Sequence, residues 1–328
     1  MAETIYQVEF LKNDKYRLFK GLYSDFIAHA ISDYRFELTP LDYDGFIEAV
    51  DKDIIKCAVL LENSFPTAFS VYTTAISESV ELNVIHCLGN EDLITKRGKL
   101  TEFFMEQTKE DRKESVVCYP MLGSQEDFAT DITHFGYKLI GLVVLRFGMS
   151  DPMSEMILEN VDIPPIDKKY EVVKWDSKYF DDAVKVINES FKTTSDALFD
   201  PRFTTVSGTK DILDKIVNSI YGEFLPEATT VLLENKKPVG FAMANVTGGK
   251  ISNIPLVGIL ENNRGKGLSV MMLQRVLKTI MKDVKSGKKH FSEVNVTTET
   301  DNFGALRMYR TVGFKEDYSY TQAYLPKG

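Results

Sequence analysis

The chain has 328 residues, enough for two domains that each bury a core, and its 44% apolar and 27% charged residues exclude disorder and fibrous repeats. No apolar run approaches the roughly 20 residues that span a bilayer, and the opening "MAETIYQVEF" has an early acid and no apolar signal core, so the cytoplasm is the expected compartment and no membrane contact is expected. Net charge is −9 with no long basic stripe, which argues against nucleic acid as a partner.

The charge is uneven along the chain. Residues 1–150 carry 15 basic against 24 acidic side chains, residues 151–166 four acids and no base, and residues 167–328 carry 24 basic against 20 acidic, a surplus of +4. Pro152, Pro164 and Pro165 interrupt the periodic patterns on either side. These features divide the chain into a domain over 1–150, a linker over 151–166 and a domain over 167–328. Cys57, Cys87 and Cys118 are odd in number and widely spaced, which suits neither a disulfide framework nor a zinc site. His29, His86, His134 and His290 show no metal or triad spacing, so no metal is expected.

In chain order, the first clear element is "VLLENSFPTAF" (59–69), a strand, a polar tip with proline, and a second strand. The segments "RGKL" (97–100) and "HFGYK" (134–138) follow. Each has a counterpart beyond the linker. "VLLENKKPVGF" (231–241) repeats the hairpin, "RGKG" (264–267) the basic tetrapeptide and "TVGFK" (311–315) the glycine-aromatic pair. The chain therefore reads as a duplicated α/β module.

The second copy carries strand "YEVVKW" and amphipathic helices over 178–191 and 209–224. A hairpin over 229–245, a strand over 250–260, a helix over 268–284, a strand over 292–299, a helix over 303–312 and terminal strands follow. This order predicts a mixed β-sheet flanked by helices.

Between the strand 250–260 and the helix after it stands "NNRGKGLS" (262–269). Gly265 and Gly267 permit a tight turn and close backbone approach. The first turn of the next helix offers unpaired N–H groups and a positive dipole end, a seat for pyrophosphate, with Arg264 and Lys266 at its rim. A basic turn that merely caps the helix fits the octapeptide equally well. "DNFGALRMYRTVGF" (301–314) places Asn302 to cap a helix, Tyr309 on its apolar face and Gly313 at its end. Tyr309 alone reads equally as a core aromatic with its hydroxyl satisfied.

In this order the two segments resemble the GNAT N-acetyltransferase superfamily, whose loop pattern R/Q-x-x-G-x-G/A is matched by Arg264, Gly267 and Ser269, with serine replacing the last small residue. The later N-x-x-A-x-x-x-Y-x-x-x-G-F pattern is matched by Asn302, Ala305, Tyr309, Gly313 and Phe314. The resemblance implies two tandem GNAT-like modules and acetyl-CoA as cosubstrate, bound where the fourth and fifth strands splay. It places the pantetheine arm at Val257, Gly258 and Ile259, and the pyrophosphate at Arg264, Gly265, Lys266, Gly267, Leu268 and Ser269. Asn302 joins the cofactor-binding set, and Tyr309 is the acid for the leaving thiolate. The acceptor would be an amine of a small molecule or peptide, walled by "FKTTSDALFDPRF" (191–203). No acid lies on "ISNIPLVGI", where the family often has a glutamate, so Glu299, Asp301 or a water chain are the candidates for the base. In the first copy Leu100 aligns with Gly267, and Gln125, Phe128 and Ile132 align with Asn302, Ala305 and Tyr309, which predicts a module that keeps the fold and lacks acetyl transfer. The alternative class is a noncatalytic acyl-CoA-binding or interaction protein.

Overall fold

Both repeated hairpins form, and their tips have the same unusual backbone. In a computed structural model that describes residues 5–32, 40–74, 80–110, 117–120, 126–248 and 251–326, Asn63 and Ser64 turn with φ of 50° and 75°, and Asn235 and Lys236 with 48° and 67°. Two successive positive φ values define the tight turn whose twist matches paired strands. Two compact units result: residues 1–141 with 198–201 and 320–328, and residues 142–197 with 202–319.

The first unit contains β1 (Tyr6–Phe10), α1 (Tyr16–Ser32), α2 (Tyr43–Asp51), β2 (Lys56–Glu62), β3 (Phe65–Thr73), β4 (Val80–Cys87), α3 (Leu93–Gln107), β5 (Val117–Pro120) and α4 (Glu126–Ile132), and the start of β6 (Lys138–Gly148). Its strands lie in the order β1-β2-β3-β4-β5. One face is covered by α1 and α2 through Phe19, Phe26 and Phe46 against Phe69. The other is covered by α3 and α4 through Leu100, Phe104, Phe128 and Ile132.

The second unit takes β6 from Leu142 onward, then α5 (Pro152–Glu159), β7 (Tyr170–Lys174), α6 (Phe180–Phe191), the first two residues of the short α7 (Asp196–Phe199), α8 (Val206–Val217), β8 (Glu223–Phe224), β9 (Thr230–Glu234) and β10 (Lys237–Ala242). β11 (Asn245–Gly248), β12 (Ile251–Asn253), β13 (Val257–Ile259), α9 (Leu268–Lys285), β14 (Glu293–Glu299), α10 (Phe303–Thr311) and the start of β15 (Lys315–Leu325) complete it. α6 and α8 pack Val184, Ile187 and Leu213 on Phe241. On the other face α9 buries Met272, Leu273, Val276 and Leu277 with α10 against Val294 and Val296. The apolar stripe of α9 recurs at helical spacing, and each such side chain contributes about 1.5–3 kcal/mol on burial.

The terminal strands are where chain order and compact units part. The last residues of β15 pair antiparallel with β5 in the first unit, Gln322 opposite Pro120 and Leu325 opposite Val117. β6 from Leu142 pairs antiparallel with β14 in the second, Leu142 opposite Glu299 and Gly148 opposite Glu293. The segment read as a linker holds α5, capped by Asp151 through Met153 N–H at 3.1 Å, with Leu158 fully buried. Its three prolines break periodicity without leaving it outside the core.

Three further readings change. The helix expected over 209–224 begins at Val206, because Thr205 accepts from Gly208 N–H at 3.0 Å, and stops at Val217, ahead of positive φ at Ser219 and Gly222. The strand expected over 250–260 is two strands, β12 and β13, separated at Pro255, which has no N–H to give a ladder. "RGKL" is not a loop: residues 97–100 lie inside α3, and Leu100 is a core residue.

Candidate active site

β12 pairs parallel with β14 from Ile251 opposite Glu293 to Asn253 opposite Asn295, and one more bond joins Ile254 N–H to the Asn295 carbonyl at 3.1 Å. There the pairing ends. β13 continues only against β10, as the edge of a four-stranded sheet. The remainder of β14, Val296–Glu299, pairs only with β6. Among the described residues, two adjacent strand edges thus part with their facing backbone groups unpaired by any strand, and buried backbone groups of that kind call for a partner. Val257, Gly258 and Ile259 line one edge. Gly258 has no side chain because Ser190 sits there: a Cβ would lie 3.0 Å from its Oγ.

The chain leaves β13 through a short turn, Glu261–Asn263, into the glycine loop. Asn263 is buried and its amide group donates to the Tyr170 hydroxyl at 3.2 Å and to Glu234 at 3.1 Å, which ties the loop to β7 and β9. Lys169 also pairs with Glu234 at 2.8 Å, and these bonds, Lys169 foremost, hold the Glu234 carboxyl down at about 2.

Gly265 and Gly267 both adopt left-handed backbone, φ 75° and 76°. Their surroundings differ. Space beside Gly265 is open, whereas a Cβ on Gly267 would meet Pro164 at 3.0 Å. The glycine at 267 therefore makes room for a proline of its own unit as well as for a turn. The amides of Gly265, Lys266 and Gly267 find no acceptor among the described residues, and the first bond of α9 runs from Met271 N–H to the Gly267 carbonyl at 3.2 Å. The amides of Leu268 and Ser269 belong to the unpaired first turn. Six consecutive N–H groups, from Gly265 to Val270, are available to an anion.

The two cations fold back from this turn. Lys266 Nζ donates to the Asn262 carbonyl at 2.7 Å and the Tyr170 hydroxyl at 3.2 Å. Arg264 Nε donates to the Ile259 carbonyl at 3.0 Å. Both cations are thereby held to backbone carbonyls at the base of the loop.

Asn302 caps α10, its side-chain oxygen accepting from Ala305 N–H at 3.1 Å, and its own N–H donates to the Glu299 carbonyl at 3.1 Å. Its oxygen is committed to the helix. Tyr309, two turns on, is 6% exposed and packs edge-on against Phe314 with centroids 5.6 Å apart. Its hydroxyl makes no hydrogen bond among the described residues. Burial raises the phenol well above its ordinary range, and the charge of Asp196 raises it further.

That charge leads to residues the motifs did not reveal. Ser195 donates its hydroxyl to Glu299, at the end of β14. Thr194 donates to Asp196 at 3.0 Å. Asp196 presents surface to solvent, yet the chain packed around it raises its carboxyl above the ordinary range by desolvation, and Glu299 adds to the rise. Two carboxylates thus lie within reach of each other's charge, and one of them, Asp196, also acts on Tyr309. The sequence signal for Ser195 and Asp196 was their place in the segment 191–203 read as an acceptor wall, whereas Glu299 was already a candidate for the base. Asp301 is exposed and takes no part in this cluster.

In the first unit the segment that corresponds to the glycine loop, between β4 and α3, is Leu88-Gly89-Asn90-Glu91-Asp92. It carries two acids where the second unit has two cations, and Asp92 accepts from the Tyr6 hydroxyl at 2.8 Å. Phe128 and Ile132 are core residues. Gln125 lies outside the described residues.

A mixed sheet with a parallel pair that splays, a glycine turn opening a long helix at one strand end and a tyrosine helix after the other are the arrangement of a GNAT-type fold. Residues 198–314, more than a third of the chain, match the acetyltransferase (GNAT) family model, and the chain as a whole has a tandem GNAT fold. Similar solved structures include a GCN5-related N-acetyltransferase from Sphaerobacter thermophilus, 14% identical, covering 97% of this chain and 95% of that one with a TM-score of 0.62. A tandem GNAT protein from the clavulanic acid biosynthesis pathway is 11% identical, covers 99% of each chain and has a TM-score of 0.54. The GCN5-related glucosamine N-acetyltransferase region of a fungal multi-domain β-N-acetylglucosaminidase is 12% identical, with a TM-score of 0.62 over 99% of this chain and 38% of that one. No curated protein matches the chain in sequence. Among the described residues, no helix is long and apolar enough to cross a membrane.

Proposed function

We propose that the second unit is an acetyl-CoA-dependent N-acetyltransferase whose acceptor is an amine of a small molecule or peptide. The observation that carries this reading is the parting of β13 from β14, with the open amides of Gly265–Ser269 following the one strand and Glu299, coupled to Asp196 and through it to Tyr309, ending the other. A ligand that is extended, anionic at one end and reactive at the other fits that distribution. The edge of Val257, Gly258 and Ile259 would pair with the amide-bearing pantetheine arm, and the glycine loop would hold the pyrophosphate. Asn302 would stand beside the arm with its amide nitrogen. When bound, acetyl-CoA supplies the thioester carbonyl that an amine attacks.

The chain's own residues then manage two protons. Acetyl transfer forms a C–N bond and breaks a C–S bond, so the amine must lose a proton and the departing sulfur must gain one. Tyr309, protonated across the neutral range because its phenol is buried, gives the second. Glu299, held by Ser195, would take the first, and Asp196, whose charge reaches it, would draw a cationic amine inward. The first unit has the fold without the means: Glu91 and Asp92 in its loop repel a pyrophosphate, and Ile132 has no proton to give.

The test uses the full chain with acetyl-CoA and a panel of primary amines, following free thiol. Amine-dependent thiol release supports the reading. Binding of CoA without release by any amine would favour a noncatalytic acyl-CoA-binding protein, and no binding at all would remove the CoA assignment.

A further inference from the structure

The histidines, scattered in sequence, do not remain scattered in the fold. Asp25 and His29 stand one helical turn apart on α1, and His86, 57 residues later, stands on β4 beneath them. Each offers one ligand atom, and the three atoms lie within 4.8 Å of one another. His86 Nε2 is 2.8 Å from an Asp25 carboxylate oxygen, and His29 Nδ1 is 3.6 Å from that same oxygen. His29 Nδ1 also lies 2.8 Å from the Asp25 main-chain oxygen.

The burial of the three groups is graded. His86 is 2% exposed, its ring against Phe26 and Phe69 with centroids 5.6 and 5.8 Å apart. Asp25 and His29 are partly open to solvent. One ligand is thus fixed by the sheet while two on a helix face close over it from the solvent side, which gives an ion an entry path. A single buried histidine needs one acceptor for its inner nitrogen, and Asp25 meets that need. The second imidazole, brought to the same carboxylate, exceeds it.

We infer that Asp25, His29 and His86 form a site for a divalent transition-metal ion of the zinc type, which ties α1 to β4 in the first unit. Two imidazoles and one carboxylate are a common donor set for such an ion. Bonds of about 2.1 Å hold tetrahedral ligands roughly 3.4 Å apart, so the Asp25–His86 pair, now 2.8 Å apart, opens by about 0.6 Å and the widest separation, at most 4.8 Å, closes by up to about 1.4 Å, motions the half-exposed Asp25 and His29 side chains can supply. The site belongs to the unit without Tyr309 and does not depend on the acetyltransferase reading.

The experiment titrates the full chain, stripped with chelator, with zinc alone by calorimetry, and with cobalt alone by visible absorption. The inference expects one ion per chain, a raised melting temperature that chelator reverses, and cobalt bands of a four-coordinate nitrogen–oxygen site. His29→Ala and Asp25→Asn, both at partly open positions, weaken binding by at least about tenfold, while their melting temperatures in chelator stay near that of the parent. A His134→Ala, His290→Ala double variant binds as the parent does. Absence of stoichiometric binding, binding unchanged in His29→Ala and Asp25→Asn, or a cobalt–thiolate charge-transfer band that places the ion on a cysteine would each overturn it. In the first of these cases Asp25 and His86 are a buried hydrogen-bonded pair and nothing more.

Discussion

Replacing Tyr309 with phenylalanine separates a catalytic hydroxyl from a structural one. The ring is 6% exposed and rests on Phe314, and the substitution keeps both features. Because the hydroxyl makes no hydrogen bond among the described residues, the about 0.5–1.5 kcal/mol that a satisfied bond contributes is not lost. Relief of phenol desolvation acts in the opposite direction. Tyr309→Phe is therefore expected to be neutral, or more stable by up to about 1 kcal/mol, in urea denaturation. Turnover moves the other way. Loss of a positioned acid lowers kcat by about 10²–10⁴-fold, or about 2.7–5.4 kcal/mol of barrier. The pH dependence has a definite sign. A phenol raised above the ordinary 10.0 by desolvation costs the fold nothing below pH 10 and destabilises it progressively as pH climbs from there toward the folded value, so the variant resists alkaline unfolding better than the parent. Unchanged thiol release with a cognate amine would refute Tyr309 as the acid. Destabilisation above about 1 kcal/mol would show that the hydroxyl has a structural partner.

Gly265→Ala places a side chain in left-handed backbone with open space around it, costing about 1–2 kcal/mol. Gly267→Ala adds a contact with Pro164, so it costs more, and Pro164→Ala restores the difference; equal midpoints for the two glycine variants would show that the proline yields freely. Leu100→Ala empties part of a packed core and costs about 2–5 kcal/mol without giving the first unit any affinity for CoA; CoA binding gained there would revive its alignment with Gly267. Asp196→Asn stabilises at neutral pH, because a carboxyl raised by desolvation binds its proton more readily folded than unfolded. That gain disappears once pH falls below the ordinary value of 3.8, and pH-independent midpoints would contradict it.

What the sequence disclosed followed from how local each feature is. The hairpins at 59–69 and 231–241 were legible because strand period, polar tip and proline lie within eleven residues, and both fold with paired positive φ at the tip. Gly136 and Gly313 likewise end corresponding helical turns with left-handed backbone. The "RGKL" match failed for the converse reason: four letters carry no period, and the helical spacing of Leu100 with Phe104 decides that segment. Strand 250–260 read as one run because its apolar pattern continues through Pro255, although the missing N–H divides it. The meeting of Ser195 and Asp196 with Glu299 spans about a hundred residues and is set by the topology that brings the α6–α7 segment to the end of β14. The same holds for His86 beneath α1.

The allocation of terminal strands bears on the history of the chain. The first unit is completed by residues 198–201 and 320–328, and the second begins at Leu142, within what the linear repeat assigns to its partner. Excision of residues 167–328 would strip β14 of seven paired residues along one edge, and excision of residues 1–150 would strip β5 of its pairing with β15. Neither copy can be deleted by a single genetic cut without leaving the other incomplete. In such an arrangement each copy must be inherited for the other to keep its strand pairing, whatever chemistry either performs.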